Sequence, residues 1–424
     1  MKVRICRGNI KPSTIVMPSS KSQAHRYLIC AALAQGISVI DSVDFNEDIS
    51  ATINGLKQLG ATIEIQGSKV IVEGISMLEN IHPAIIDCNN SGSTLRFLIP
   101  LFAQTKELVQ FKGSKRLLER PLQVYDTLFK EMGCYFFSDS EKVEVKGPLK
   151  AGEYVVDGGL SSQFISGLLF VLPLLEQESV IKVDGVFESR SYVNMTISVM
   201  KEFGVMVEEL QDGSYHIAGN QKYRASHRVV EGDFSQFAFF AALGCFRGPL
   251  DCLNLPSETA QGDKVIIDYL TQMGAQIQRI ENGYRILPAT LVGQKLDLQD
   301  CPDLGPILSI VASLAHEKSE LVNIARLRLK ESDRVLAMET ELKKCGVQVS
   351  VSANSMTVHA ADDWNVKEEL EGYQDHRIVM ALIIGALCAD KEIVIGPEAA
   401  INKSFPTFLK EVEKLGIKIE RVGE

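Results

Sequence analysis

No stretch of this 424-residue chain is both long and apolar enough to span a bilayer. Its longest apolar runs, such as Ile378 to Ala389, reach about a dozen residues, where a membrane helix needs roughly twenty. No Cys-x-x-Cys pair occurs either. The nine cysteines stand apart at 6, 30, 88, 134, 245, 252, 301, 345 and 388. An odd, dispersed set speaks against a disulfide framework or a zinc site and for free thiols in a reducing compartment. Basic residues are outnumbered, 44 against 54 acidic, for a net charge of −10. That balance argues against a general nucleic-acid binder but leaves open a small anionic ligand held by local cations. The opening Met1-Lys-Val-Arg-Ile carries no signal or transit pattern, so a cytoplasmic protein is expected. No Gly-x-Gly-x-x-Gly follows a strand pattern, which disfavours a doubly wound nucleotide fold.

What the chain does have is a repeat. A polar opening followed by an apolar helix pattern begins near Ser22, Ser91, Ser161, Asp233, Asp303 and Asp375, at spacings of 69, 70, 72, 70 and 72. A second, one-sided helix pattern in each block stops at Gly60, Gly133, Gly204, Gly274, Gly346 or Gly416, followed by a short alternating strand. Six blocks of this size fit two domains of three repeats each. The first helix of a block is apolar on most sides and belongs in the middle of a domain, whereas the second lies nearer solvent. Strand–helix–strand–helix–strand units imply an α/β fold whose sheets contain parallel pairs. Residues 1–18 carry an extra strand pattern that spacing alone does not place.

The six openings are rich in Ser, Asp and Asn, where a helix presents unpaired N–H groups suited to anions. Lys21 and Ser22 open the first helix, with Arg26 one turn along; a capped helix with solvated cations is the plainer reading of that segment. Asn90, Gly92 and Ser93 offer a cap, a close backbone approach and a hydroxyl, followed by Arg96, though a tight strand–helix turn also explains the glycine. Arg120 precedes Pro121 and so leaves an extended backbone; a surface charge cluster is its bland alternative. Ser161, Ser162 and Gln163 suit a sugar-like or phosphate ligand, with Ser189 and Tyr192 further on. Asp303 and Glu331 read as a paired acid and base beside Lys330 and Arg334, or as a structural ion pair. His376 and Arg377 open the last repeat, and Lys403 follows. Separately these signals are weak, but so many cations at equivalent openings of an acidic protein point to polyanionic substrates.

The same motifs, in order, resemble the 5-enolpyruvylshikimate-3-phosphate synthase family over nearly the whole chain: Pro-x-Ser-Lys-Ser-x-x-x-Arg, Asn-Ser-Gly-Ser-Thr-x-Arg, Arg-Pro, Ser-Ser-Gln-Phe, Pro-Asp, Lys-Glu-Ser-Asp-Arg, Asp-His-Arg and Lys-Ser-Phe-Pro. The resemblance implies two inside-out, barrel-like α/β domains, each of three βαβαββ repeats, closing around a two-strand hinge. By that likeness one domain covers 19–229, mainly on the shikimate 3-phosphate side. The other joins 1–18 to 230–424, mainly on the phosphoenolpyruvate side. The implied reaction moves the enolpyruvyl group of phosphoenolpyruvate to the 5-hydroxyl of shikimate 3-phosphate and releases phosphate, with no metal or cofactor. The implied phosphoenolpyruvate set is Lys21, Gly92, Arg120, Gln163, Arg334, Arg377 and Lys403. The implied shikimate 3-phosphate set is Lys21, Ser22, Arg26, Ser161, Ser162, Gln163, Ser189, Asp303 and Lys330. Asp303 is expected to accept the 5-hydroxyl proton, and Glu331, with Lys21, to supply the methylene proton; His376 has a supporting role. The protein is expected to act as a monomer and to bind glyphosate in the phosphoenolpyruvate site, beside Gly92.

Three departures stand out. Arg326 occupies a place where many members have a neutral amide, Phe97 one where some have proline, and Asp233-Phe-Ser-Gln one where Asp-x-Ser-Ser is usual. The sister transferase acting on UDP-N-acetylglucosamine usually has a reactive cysteine before its Arg-Pro motif, where Gly113 to Arg120 here holds no thiol. A catalytically dead anion-binding scaffold is the alternative from another class, but it would not need Asp303, Glu331, Lys21 and Arg120 together.

Overall fold

The computed structural model describes residues 1–75 and 84–423. The chain divides into two compact units, Ser19–Glu231 and Met1–Pro18 joined with Gly232–Glu424. Each unit holds three four-stranded sheets of one design: a parallel pair at one edge, then two antiparallel strands. In the sheet of Ile85–Asp87, Val109–Lys112, Val143–Lys146 and Tyr135–Ser138, the first two strands are parallel. Parallel neighbours need a crossover, and the buried helix Gly92–Phe102 lies between them in sequence.

The early strands complete sheets formed much later in the chain. Ser13–Val16 pairs parallel with Leu250–Leu253, and Lys2–Ile5 lies between Ile393–Gly396 and Ile419–Val422. In the other unit, His227–Val229 returns to pair parallel with Ile37–Asp41. Residues 1–18, unplaced by spacing, thus supply one strand to each of two sheets of the unit containing the C-terminal half.

The apolar helices Lys21–Leu33, Gly92–Phe102 and Ser162–Val171 are buried nearly throughout, as are Phe234–Arg247, Gly305–Leu314 and His376–Cys388 in the other unit. Rings interlock around them: Phe97 packs edge-on to Phe170 at 5.5 Å, and Tyr125, from the second helix Gln123–Glu131, to Phe164 at 4.9 Å. Each such buried ring contributes about 1.5–3 kcal/mol. The one-sided second helices end at glycines with φ of 113°, 73°, 83°, 105°, 82° and 93°, left-handed values at which a side chain is strained. A φ-positive stop in every block keeps the six repeats in step. The nine cysteines are free thiols. Among the described residues no helix is long and apolar enough to cross a membrane.

Candidate active site

In the unit Ser19–Glu231, most of the candidate site residues stand on the first turns of three buried helices. Ser20, not Ser22, caps the first, accepting from Gln23 N, which places Lys21 and Ser22 in its opening turn. The Lys21 ammonium donates to Asp48 at 2.8 Å. Arg26 is buried and donates to Thr196 Oγ1 at 2.7 Å, to Ser22 O at 2.7 Å and to Tyr192 O at 2.9 Å. It therefore fastens the helix Arg190–Glu202 beside the first helix while presenting a cation under Ser22.

Ser91 caps the second helix by accepting from Thr94 N; the expected cap, Asn90, instead accepts from Ser114 Oγ at 3.0 Å. Gly92 then begins the helix directly beneath Arg120, because a Cβ there would lie 2.7 Å from Arg120 Nη1 and 3.0 Å from Arg96 Nη1. The buried Nε of Arg120 has no hydrogen-bond partner among the described residues. A buried guanidinium N–H without an acceptor is costly unless an anion completes it.

Ser161 caps the third helix, accepting from Gln163 N, and Ser162 is buried behind it. Arg96 donates to Gln163 Oε1 at 3.0 Å, and Gln163 Nε2 donates to Ser93 at 3.0 Å. These bonds tie the second and third openings together and fix which way the amide points. Ser189 is buried at φ 57°, a left-handed turn that costs a serine about 1–2 kcal/mol and is often kept where function needs it. Phe97 lies in the core, with the Arg26 guanidinium 5.1 Å from its ring centre.

In the other unit the charges form one network. Arg334 is fully buried and donates to Asp375 at 2.8 and 3.2 Å, to Asp303 at 3.0 Å and to Glu331 at 2.9 Å. Asp303 also accepts from Lys330 at 3.1 Å and from Arg377 at 2.9 Å. Glu331 also accepts from Lys403 at 3.0 Å. Asp375 caps the helix His376–Cys388 through Arg377 N and accepts from Ser332 at 3.0 Å. His376 is buried, with Nδ1 3.7 Å from Asp375. The two carboxylates paired from sequence are thus bridged by a single guanidinium.

Burial alone would raise the Asp303 carboxyl, but Arg377, Lys330 and Arg334 hold it well below its ordinary range. The Lys330 ammonium is pushed down to about 8, chiefly by burial and with help from Arg326 and Arg334, against the pull of Asp303. Asp263 moves the other way, to about 7, through burial and the neighbouring charge of Asp303. It hydrogen-bonds Ser235, beside Asp233, which caps the helix Phe234–Arg247. Arg326, the residue that departs from the usual amide, is buried in the turn Ala325–Leu329.

Sequence reading assigned no role to Asp48, Ser332 or Asp263, and took Asp375 only as a helix opening. Asp48 looks like an ordinary first-turn acid and Asp375 like an ordinary cap; only their cationic partners, far away in sequence, mark them. Among the described residues no group of three or more His, Cys, Asp or Glu could hold a metal ion.

Comparison with known proteins matches this arrangement to one family. The chain is 41% identical over 414 residues to a 3-phosphoshikimate 1-carboxyvinyltransferase of Clostridium kluyveri, covering 96% of this chain and 95% of that one. It is 40% identical over 423 residues to the protein of that name from Clostridium acetobutylicum, covering 98% and 97%. The solved structure of an EPSP synthase from Acinetobacter baumannii shares the fold, with a TM-score of 0.81 at 23% identity over 99% of this chain and 100% of that one. The family model for EPSP synthase (3-phosphoshikimate 1-carboxyvinyltransferase) matches residues 9–412, and the chain belongs to that family.

Proposed function

We propose that the protein transfers the enolpyruvyl group of phosphoenolpyruvate to the 5-hydroxyl of shikimate 3-phosphate and releases phosphate, in the pathway to aromatic amino acids. The observation that carries this reading is the network in which Asp303 and Glu331 are both held by Arg334, with Lys330, Arg377 and Lys403 around them. An acid–base pair set among four cations suits two anionic substrates and proton transfers between them.

Phosphoenolpyruvate takes a proton at its methylene carbon while the 5-oxygen bonds to the neighbouring carbon and yields its own proton. The tetrahedral adduct then loses a methyl proton and breaks its bond to the phosphate oxygen, leaving a vinyl ether. Asp303 accepts the 5-hydroxyl proton, and Glu331, with Lys21, delivers the proton to carbon. A carboxylate held this low is a poor base, so its cations must be drawn off. An incoming phosphate or carboxylate that takes Arg377 and Arg334 raises Asp303 toward the range where it accepts a proton. Substrate binding and base activation then become one event.

Arg120, Arg334, Arg377 and Lys403 clamp phosphoenolpyruvate, with Lys21, Gln163 and the backbone at Gly92; the arginine fork matches phosphate and carboxylate. Ser22, Arg26, Ser161, Ser162, Ser189 and Lys330 hold shikimate 3-phosphate together with Lys21, Gln163 and Asp303. His376 supports Asp375. Each unit is an inside-out barrel of three repeats, acting as one chain in the cytoplasm and inhibited by glyphosate at the phosphoenolpyruvate clamps. Mass spectrometry of the product from both substrates tests the reaction. An enolpyruvyl ether formed by the wild type, and lost in Asp303→Ala and Glu331→Gln, supports it; no product from folded wild type refutes it.

A further inference from the structure

Beneath the openings of the unit Ser19–Glu231 runs a line of fully buried polar groups that no step above uses. His25 Nδ1 lies 2.8 Å from Thr52 Oγ1, Thr52 Oγ1 lies 2.7 Å from Thr94 Oγ1, and Thr94 Oγ1 donates to Ser91 Oγ at 2.7 Å. Ser91 Oγ also accepts from Thr94 N as the cap of its helix. The four residues come from three elements, and each sits close to a site residue. His25 is one turn after Lys21, Thr52 one turn after Asp48, and Gly92 lies between Ser91 and Thr94.

The direction of the chain follows from counting protons. Thr94 has one hydroxyl proton, directed to Ser91 Oγ at 2.7 Å or to Asp48 O at 3.4 Å and in neither case to Thr52. Thr52 must then donate to Thr94, and only an N–H at Nδ1 of His25 can complete the Thr52 oxygen. The ring is therefore protonated at Nδ1, and because the buried Nε2 has no hydrogen-bond partner among the described residues to receive a second proton's bond, it is bare there and neutral. Phe97 stands edge-on to the ring, 6.5 Å between centres. The charged groups acting on His25 are Asp48, Lys21 and Arg26, and burial outweighs the first, pushing its pKa down to about 3.

We infer that His25 is a positioning residue whose Nδ1–H heads a one-way hydrogen-bond chain through Thr52 and Thr94 to Ser91, locking Lys21, Asp48 and Gly92 in register for phosphoenolpyruvate. This rests on the proposed function for its kinetic consequence but not for its tautomer. Long-range proton–nitrogen NMR of labelled protein, with the His25→Asn spectrum assigning the signal, should show a neutral Nδ1–H ring from about pH 8 to about pH 5. A proton on Nε2, or titration in that range, overturns the inference.

In kinetics, His25→Leu removes the donor and should raise the KM for phosphoenolpyruvate about tenfold, leaving that for shikimate 3-phosphate within about twofold. His25→Asn keeps a side-chain N–H and should restore most of the loss. Thr52→Val interrupts the chain at nearly the same volume and should repeat the effect of His25→Leu. A wild-type KM in both interrupted variants, or equal weakening of both substrates, overturns the role. Should the wild type turn over neither substrate, the functional reading fails while the NMR result still decides the chain.

Discussion

Arg334 and Asp375 form a two-point ion pair, 2.8 and 3.2 Å between nitrogen and oxygen, with neither side chain more than 1% exposed. Removing Asp375 leaves Arg334 paired with Asp303 and Glu331 but takes away two buried, charge-assisted hydrogen bonds, which cost more to lose than a surface pair. Asp375→Ala also removes the cap of His376–Cys388. Destabilisation of about 1.5–3 kcal/mol is expected from the lost charge-assisted bonds alone. The single tryptophan, Trp364, lies in the core of the same unit, so denaturant unfolding followed by its fluorescence reads this loss directly.

If Lys330 holds shikimate 3-phosphate as proposed, it gives that binding a pH dependence. Its folded-state value of about 8 lies below that of a free lysine, so the ammonium is present below that pH and is lost as pH rises through it. Affinity for the anionic substrate it holds should fall as pH rises past about 8. Lys330→Arg, which keeps its charge, should move that limb upward by more than a unit. Measuring the KM for shikimate 3-phosphate across this range checks both.

Asp303→Asn keeps the shape of the side chain while removing the acceptor. The rate should fall by about 10²–10⁴-fold, the usual span for a general base, with binding of both substrates retained. The same variant should blunt acid sensitivity. Because the Asp303 carboxyl lies below its ordinary value in the fold, the stability it contributes is complete above the unfolded carboxylate range. That stability disappears as pH falls through the folded value. Paired acid-unfolding curves of wild type and variant show whether this limb is lost.

At Gly92 the constraint is space. A methyl group would meet Arg120 Nη1 at 2.7 Å, and the flexible guanidinium would have to move off its clamp. Gly92→Ala should therefore fold normally, since the position is helical. It should raise the KM for phosphoenolpyruvate about tenfold through loss of a charge-assisted bond, and weaken glyphosate by at least as much. Steady-state kinetics with the inhibitor titrated against each protein decides this.

The repeat was legible because it is written twice in every block, once in the polar opening and once in the glycine that stops the second helix; all six glycines have positive φ. The route of residues 1–18 was not, since pairing Ser13–Val16 with Leu250–Leu253 is a long-range register that local pattern cannot encode. Cations of the site were visible as types beside helix starts. Their partners were not: Asp48 and Asp375 are ordinary acids until folding brings Lys21 or Arg334 to them, as is Asp263 until folding sets it near the like charge of Asp303. Arg26 shows the converse, a residue chosen for its charge whose guanidinium also braces Thr196 and Tyr192.

The most direct test is phosphate release from phosphoenolpyruvate by the purified protein, with shikimate 3-phosphate as acceptor and UDP-N-acetylglucosamine in a parallel reaction. Release with shikimate 3-phosphate alone is the predicted result. Release only with the nucleotide sugar, or none with either from folded protein, would contradict the account.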